Sequence, residues 1–155
     1  MTGTDIMTIV RQRAADNDKL NLTDELIKQA INTGIRYVSQ ILISRKAPEM
    51  MSSEDIVDYT AIPQGFHSFV GQQPAWQEGD VLRCYDTSNA VPIKFWQMRQ
   101  GLSSLADEMP FNEDFTDAIV TAALTICLNK DEFDTTFEQG LLDKIGAMLP
   151  GSASK

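Results

Sequence analysis

The sequence predicts a mainly α-helical protein, a bundle of about four helices with an inserted β-hairpin or small β element. Apolar residues recur at helical spacing near both ends of the chain. Between them, over 56–98, prolines and glycines separate short runs of β-branched and aromatic residues. This order of elements in 155 residues favours one domain, which we place at 1–149, followed by a flexible tail over 150–155.

The first two helices are predicted over about 5–15 and 24–45. Thr4 is the expected N-cap of the first helix, and Thr23 that of the second. Gly34 lies inside the second helix, where glycine costs roughly 1 kcal/mol relative to alanine. That cost indicates that another helix crosses closely at this position.

The last two helices are predicted over 113–129 and 136–149. The third helix is apolar nearly all round, so it needs neighbours on every side. We expect some of those neighbours to belong to other subunits. In front of the fourth helix, Thr135 and Glu138 stand at the spacing of a capping box.

The middle of the chain is predicted to form short strands, the last two of which make a β-hairpin. Its second strand has apolar residues on both faces, and such a strand is normally covered on both faces. Either the helices of the same chain or a partner subunit could supply the second cover. The predicted strands are 56–62, 66–70, 81–85 and 91–98.

The net charge is −9, and it is unevenly distributed. Residues 1–46 carry 7 Lys and Arg against 5 Asp and Glu, a balance of +2, whereas residues 47–155 carry 6 against 17, a balance of −11. An acidic chain does not hold a phosphate backbone by counterion release. The charge is explained either by solubility alone or by a repulsive surface past which DNA can slide.

The sequence also predicts no membrane span and no secretion signal. Its apolar runs are shorter than the roughly 20 residues that span a bilayer, and its first residues lack the apolar core of a signal peptide. We therefore expect the protein to stay in the cytoplasm in which it is made. In that compartment, Cys84 and Cys127 are expected to be buried thiols without a disulfide.

No catalytic residue, cofactor site or metal site is predicted, so we do not expect an enzyme. His67 is the only histidine, and neither a GxSxG turn nor a phosphate-binding glycine-rich loop is present. Acidic residues cluster over 107–117 and 131–134, but neither cluster matches a calcium-binding loop. Carboxylates near helix N-termini are explained by the helix dipole.

Several segments follow one another in a distinctive order. They are LTDELIKQAINTGIRYVSQIL, YTAIPQGFHSFVG, VLRCYDTSNAVPIKFWQM, GLSSLADEMPFNEDFTDAIV and ALTICLNKDEFDTTFEQGLLDKI. The most suggestive parts are the start of the third helix, 111–115, and the break before the fourth, 132–135. Together these segments resemble the head–tail adaptor (connector) proteins of tailed bacteriophages.

The resemblance implies a structural protein of the virion neck that is assembled in the host cytoplasm. Such proteins form a ring, commonly of about twelve copies, beneath the portal protein. The ring extends the DNA channel, through which DNA passes without specific binding. It also presents a docking surface to the tail or to the next neck protein. The resemblance implies no enzymatic activity, no cofactor and no membrane partner.

Carried onto this chain, the resemblance assigns contact with neighbouring subunits or the portal to the predicted hairpin and the C-terminal tail. Two other functions stay open: another neck or tail-completion protein, and a small acidic regulatory module that binds a protein. The residues predicted for the interface are Val81, Leu82, Tyr85, Ile93, Phe95, Trp96, Met98, Pro150, Gly151 and Lys155.

Overall fold

The computed structural model describes residues 1–15, 22–129 and 134–150, and it has an α+β fold. The described residues form four α-helices and two three-stranded antiparallel sheets. The predicted fold class, a mainly helical bundle with an inserted β-hairpin or small β element, was therefore wrong. The middle of the chain forms six strands, which make a compact unit around their own core.

The chain divides into two compact units. The helical unit consists of Met1–Arg45 and Arg99–Lys155, and the β unit is Lys46–Met98. The helices are α1 (Gly3–Arg13), α2 (Asp24–Ser44), α3 (Thr116–Leu128) and α4 (Thr135–Met148), and a 3-10 turn, Glu113–Phe115, precedes α3. All four predicted helices are present, and their ends differ from the predicted ones by no more than three residues.

The N-terminal caps of α1 and α2 show how local hydrogen bonds set helix starts. Thr23 caps α2 as predicted, because its side chain accepts the Leu26 N–H at 3.1 Å. The prediction of Thr4 for α1 was wrong, since Thr2 is the N-cap. Thr2 and Asp5 form a reciprocal capping box, which satisfies two backbone donors at once and starts the helix earlier.

The cap of α4 also differs from the prediction. Asp134 is the N-cap, and its carboxylate accepts the Phe137 N–H at 2.8 Å, so the predicted capping box of Thr135 and Glu138 was wrong. Glu138 instead accepts a hydrogen bond from the Tyr37 hydroxyl at 2.7 Å, which links α4 to α2. Burial, with this hydrogen bond as the next cause, raises the pKa of Tyr37 to about 12.

Helix α3 lies at the centre of the helical unit and contacts α1, α2 and α4. A Cβ atom at Gly34 of α2 would lie 3.2 Å from Ala122 Cβ and 3.4 Å from the Ile119 carbonyl oxygen. The close helix crossing predicted at Gly34 is therefore confirmed. Among the large apolar side chains of α3, Leu128 stands out as exposed. Helices of the same chain thus cover most of α3, and its apolar character does not by itself require other subunits.

Side chains of α2 hold the backbone of the segment that follows the β unit in the sequence. The Asn32 amide accepts the Leu102 N–H at 2.7 Å and donates to the Leu102 carbonyl at 3.0 Å. Ser39 Oγ, which is fully buried, accepts the Arg99 N–H at 3.2 Å. These bonds satisfy backbone groups of a segment that forms neither a helix nor a strand there.

The β unit contains two sheets with a shared core. The first sheet has the order β1-β6-β3, and the second has the order β2-β5-β4. The strands are β1 (Met51–Ile56), β2 (Thr60–Ala61), β3 (Phe66–Phe69), β4 (Ala75–Glu78), β5 (Val81–Cys84) and β6 (Val91–Gln97). The core residues come from both sheets and are Ile56, Ala75, Leu82, Cys84, Ile93 and Phe95.

The predicted hairpin does not form. Strand β5 pairs with β2 and β4, whereas β6 pairs with β1 and β3, so the two strands belong to different sheets. The hairpin in this region is β4–β5, whose two-residue turn contains Gly79 with a φ of 61°. Glycine adopts that conformation without the steric cost that a Cβ atom brings.

The structure also shows the state of the two cysteines and the lengths of the helices. Cys84 and Cys127 are both buried and form no disulfide, as predicted. None of the helices within the described ranges combines the length and the apolarity that a bilayer span requires.

The helix crossing at Gly34 yields a paired stability prediction. Gly34→Val should lower the free energy of unfolding by about 2 kcal/mol or more, because the added atoms overpack α2 against α3. Gly140→Ala in α4 should raise it by up to about 1 kcal/mol, since a Cβ there meets no atom within 4 Å. Urea unfolding followed by circular dichroism measures both. Equal stability of the Gly34→Val variant and the wild type would contradict the close crossing.

Candidate interaction surface

Most of the residues predicted for the interface lie inside the β unit. Leu82, Ile93 and Phe95 are at most 1% exposed, and Trp96 is 9% exposed. Their apolar side chains are therefore used for folding, and a partner could not reach the first three without opening the core. The second face of β6 is covered only in part, since Pro92 and Lys94 are exposed there.

The other predicted interface residues are more accessible. Val81 and Met98 are half-buried, whereas Tyr85 and Pro150 are exposed. Gly151 and Lys155 lie outside the described residues. Of the ten predicted residues, Tyr85 is the large apolar side chain that is most available to a partner, at 73% exposure.

Tyr85 belongs to a cluster of aromatic side chains around Arg83, which we call the aromatic patch: Tyr59, Trp76, Arg83 and Tyr85. On β5, Leu82 and Cys84 point into the core, so Arg83 between them points outward. Trp76 lies directly opposite Arg83 on β4. The outer face of the β4–β5 hairpin therefore carries the patch.

Within the aromatic patch, Tyr59 and Trp76 contact the Arg83 guanidinium group, and Trp76 also contacts Tyr85. The Arg83 Cζ atom lies 3.8 Å from the centre of the Tyr59 ring and 5.5 Å from that of the Trp76 ring. The ring centres of Trp76 and Tyr85 are 4.8 Å apart. Both distances to Arg83 are within the range of cation–π attraction. Even so, Tyr59 is 64% exposed and Trp76 is 36% exposed.

Two carboxylates fix Arg83 beneath these rings. Arg83 Nε donates to Asp58 Oδ1 at 2.9 Å, and Nη1 donates to Glu78 Oε2 at 2.7 Å. Asp58 also accepts the Cys84 N–H at 2.9 Å. The Arg83 guanidinium, followed by this backbone N–H, holds the pKa of Asp58 below its usual range. The two carboxylates therefore hold the Arg83 side chain in place and neutralise its positive charge.

The surroundings of the patch are acidic. The β unit carries 3 Lys and Arg against 7 Asp and Glu, a balance of −4. Asp86, next to Tyr85, accepts the backbone N–H groups of Ser88 and Asn89 at 2.9 and 3.0 Å. These bonds lower the pKa of Asp86, so the loop that follows Tyr85 keeps its negative charge.

Sequence reasoning found Tyr85 but missed Tyr59, Trp76 and Arg83. The alternation of β5 was a usable signal, because buried Leu82 and Cys84 leave Arg83 on the opposite face. The position of Tyr59 carried no such signal. It has a φ of 68° in the turn between β1 and β2, and only the folded chain brings it over Arg83.

The other candidate sites give less support for a function than the aromatic patch does. Within the described ranges, no group of three or more His, Cys, Asp and Glu side chains is placed to hold a metal ion. His67 is exposed, and its Nδ1 lies 2.9 Å from Ser68 Oγ. A groove of about 560 Å³ lies between α2 and α4, and Arg45 and Asp143 are among its lining residues. Residues 131–133 of the second acidic cluster lie outside the described residues.

No protein-family model matches the chain, and no curated protein matches it either. The chain's own surfaces and the order of its sequence segments are therefore the features that bear on its function. Among those surfaces, the aromatic patch has the composition of a protein interface. Tyr, Trp and Arg are the residues most enriched where binding energy is concentrated.

The ion pair between Arg83 and Asp58 yields a prediction of how the stability of the protein depends on pH. Because the pKa of Asp58 is lower in the folded chain, its contribution to stability is present above the unfolded value of about 3.9 and is lost as the pH falls through the folded value. Asp58→Asn should therefore melt at a lower temperature than the wild type at pH 6, and the gap should narrow below about pH 4. Tryptophan fluorescence follows the β unit, which contains both tryptophans.

The control for this experiment is Asp55→Asn, an exposed carboxylate on β1. This variant should track the wild type across the pH range. A gap between Asp58→Asn and the wild type that is the same at pH 6 and pH 3 would contradict the ion pair.

The two tryptophans should respond very differently to substitution. Trp96→Ala should cost about 3 kcal/mol or more of unfolding free energy, because it removes a buried side chain. Trp76→Ala should cost about 1 kcal/mol or less, since its contacts are on the surface. Chemical unfolding measures both, and similar losses in the two variants would show that the aromatic patch is part of the core.

Proposed function

We propose that this protein is a structural subunit of a head–tail adaptor ring in a tailed bacteriophage. In this proposal the ring docks beneath the portal, extends the DNA channel and carries the attachment surface for the tail or the next neck protein. The observation that carries the proposal is the aromatic patch, an exposed and internally braced group of Tyr, Trp and Arg side chains. The order of sequence segments that resemble adaptor proteins supports it further.

A ring places specific demands on its subunit. Head-to-tail contacts are heterologous, so two different surfaces of the same chain must meet. The uneven charge distribution, +2 over residues 1–46 and −11 over the rest, suits such a contact between unlike surfaces. The aromatic patch supplies one surface that is available to a partner.

The structure changes which residues we assign to that contact. The buried members of the predicted interface, Leu82, Ile93 and Phe95, are replaced by the aromatic patch. Tyr85 is kept from the original set. The contact surface therefore moves from both faces of a hairpin to the outer face of one sheet.

The C-terminal tail remains part of the proposal. Arg45 donates to the carbonyl groups of Gly146, Leu149 and Pro150 at 2.7, 3.1 and 3.2 Å. A cation at the C-terminus of a helix is favoured by the dipole, and here it also binds the backbone that follows α4. These bonds hold the backbone up to Pro150 in place, and we assign portal contact to the residues that follow it in the sequence.

The acidic surface gains a role in such a ring. A channel wall of negative charge repels the phosphate backbone, so DNA slides through it without binding.

Native mass spectrometry of the protein, alone and mixed with the portal protein from the same genome, tests the proposal. We expect about twelve copies on one portal ring. The double variant Trp76→Ala/Tyr85→Ala should assemble at least about tenfold more weakly, as substitutions of central interface aromatics do. Met51→Ala, an exposed apolar residue of the other sheet, should assemble normally.

Two results would overturn the proposal. The first is the absence of any portal complex with the fold intact, which would favour another neck or tail position. The second is a small stoichiometric complex with a protein that is not a portal, which would favour the regulatory module.

A further inference from the structure

We propose that the aromatic patch binds a basic segment of a partner protein and seats a lysine or arginine side chain on the exposed rings of Trp76 and Tyr85. This inference rests on the proposed function, since it takes the patch as a protein-docking surface. It goes further by naming the chemistry of the partner.

The two rings present a surface that attracts cations. The faces of aromatic rings are negative, and a cation within about 6 Å of a ring centre is attracted to them. Trp76 and Tyr85, with ring centres 4.8 Å apart, are close enough for one cation to contact both. Their exposed fractions, 36% and 73%, leave ring surface open to a partner. The patch already holds one cation in this way, since Arg83 lies 3.8 Å from the Tyr59 ring centre.

Arg83 does not repel a second cation, because its charge is already compensated. Asp58 and Glu78 both bind its guanidinium group, so the three side chains together carry a charge of −1. The same two ion pairs argue against an acidic partner, because Asp58 and Glu78 already neutralise the positive charge of Arg83. A cationic side chain would meet two rings and a net negative charge.

The carboxylates near the patch extend this preference. Asp80 lies in the β4–β5 turn and Asp86 directly follows Tyr85, and both are exposed. With a balance of −4, the β unit favours a partner of opposite charge. Exposed aromatic rings also stack on nucleic-acid bases, but sites of that kind surround the rings with positive charge. A phosphate backbone would be repelled here.

Because contacts within the patch hold its side chains in place before a partner arrives, the loss of conformational entropy on binding is smaller. Trp76 and Arg83 face each other across β4 and β5, and Asp58 ties Arg83 and the Cys84 N–H to the turn before β2. Side chains that are held before binding lose less conformational freedom when the partner arrives.

The probe is a short acetylated and amidated peptide with alternating glycine and lysine, and the control peptide has glutamine in place of lysine. The readout is the indole N–H signal of Trp76 in ¹⁵N-labelled full-length protein, with buried Trp96 as the internal reference. The signal that is missing in Trp76→Leu identifies Trp76. We expect the lysine peptide to shift the Trp76 signal and the glutamine peptide to leave it unchanged.

Matched variants separate the patch from general attraction between charges. In Trp76→Leu, binding followed through backbone amides should weaken about threefold to tenfold. In Glu54→Gln, which removes an exposed carboxylate from the other sheet, it should change less than about twofold. Equal weakening in the two variants, no shift with the lysine peptide, or a shift with a thymidine octanucleotide instead would each overturn the inference.

Failure of this inference is distinguishable from failure of the proposed function. Portal assembly without lysine-peptide binding would overturn the basic partner and leave the adaptor ring standing. Lysine-peptide binding at Trp76 without portal assembly would support the basic partner and overturn the adaptor ring.

Discussion

The ion pair between Arg83 and Asp58 is the interaction on which the exposed face of the β unit depends. Asp58 lies in the turn between β1 and β2, and it binds both the Arg83 side chain and the backbone of Cys84 on β5. One carboxylate thus ties a turn to the central strand of a sheet. It also fixes the guanidinium group against which Tyr59 and Trp76 pack. Without this pair, Tyr59 and Trp76 would lose the fixed guanidinium group against which they pack.

The helical unit uses polar side chains in a similar way. Arg11 is buried, and it donates to the Leu22 carbonyl at 2.7 Å and to the Asp24 carboxylate at 2.6 Å. This joins α1 to the first turn of α2. Asn32 holds the returning chain at Leu102 through both atoms of its amide. In both units, regular elements supply the core, and side-chain bonds to irregular backbone set how the connecting segments run.

The helices could be predicted from the sequence because their signals are local. Apolar periodicity located all four, and a glycine inside α2 correctly indicated a close crossing. The N-cap residues were predicted less accurately, because neighbouring residues can occupy the same capping position. Thr2 displaced Thr4 because Asp5 completed a box with it, and Asp134 displaced Thr135.

The strand pairing could not be predicted in the same way, because pairing is not local. Strands β5 and β6 are adjacent apolar runs, and adjacency favours a hairpin. In the folded chain they belong to two different sheets, and both supply side chains to the same core. The error in the fold class follows from this, since four predicted strands were treated as a small insertion whereas six strands form two sheets with their own core. All of the aromatic patch except Tyr85 was missed for the same reason: Asp58 is 25 residues from Arg83, and no spacing rule joins them.

The distribution of charge connects the two proposals. A surface that repels DNA by its negative charge attracts basic protein segments by the same charge, so one property can serve passage and assembly together. The acidic balance alone would give weak and unselective attraction, which salt screens. Rings fixed beside that charge add a contact that depends on geometry and survives screening better, because it is short-ranged and partly desolvated. In the two proposals, the aromatic patch therefore supplies the selectivity that net charge lacks, so that the subunit would hold a protein partner while DNA passes.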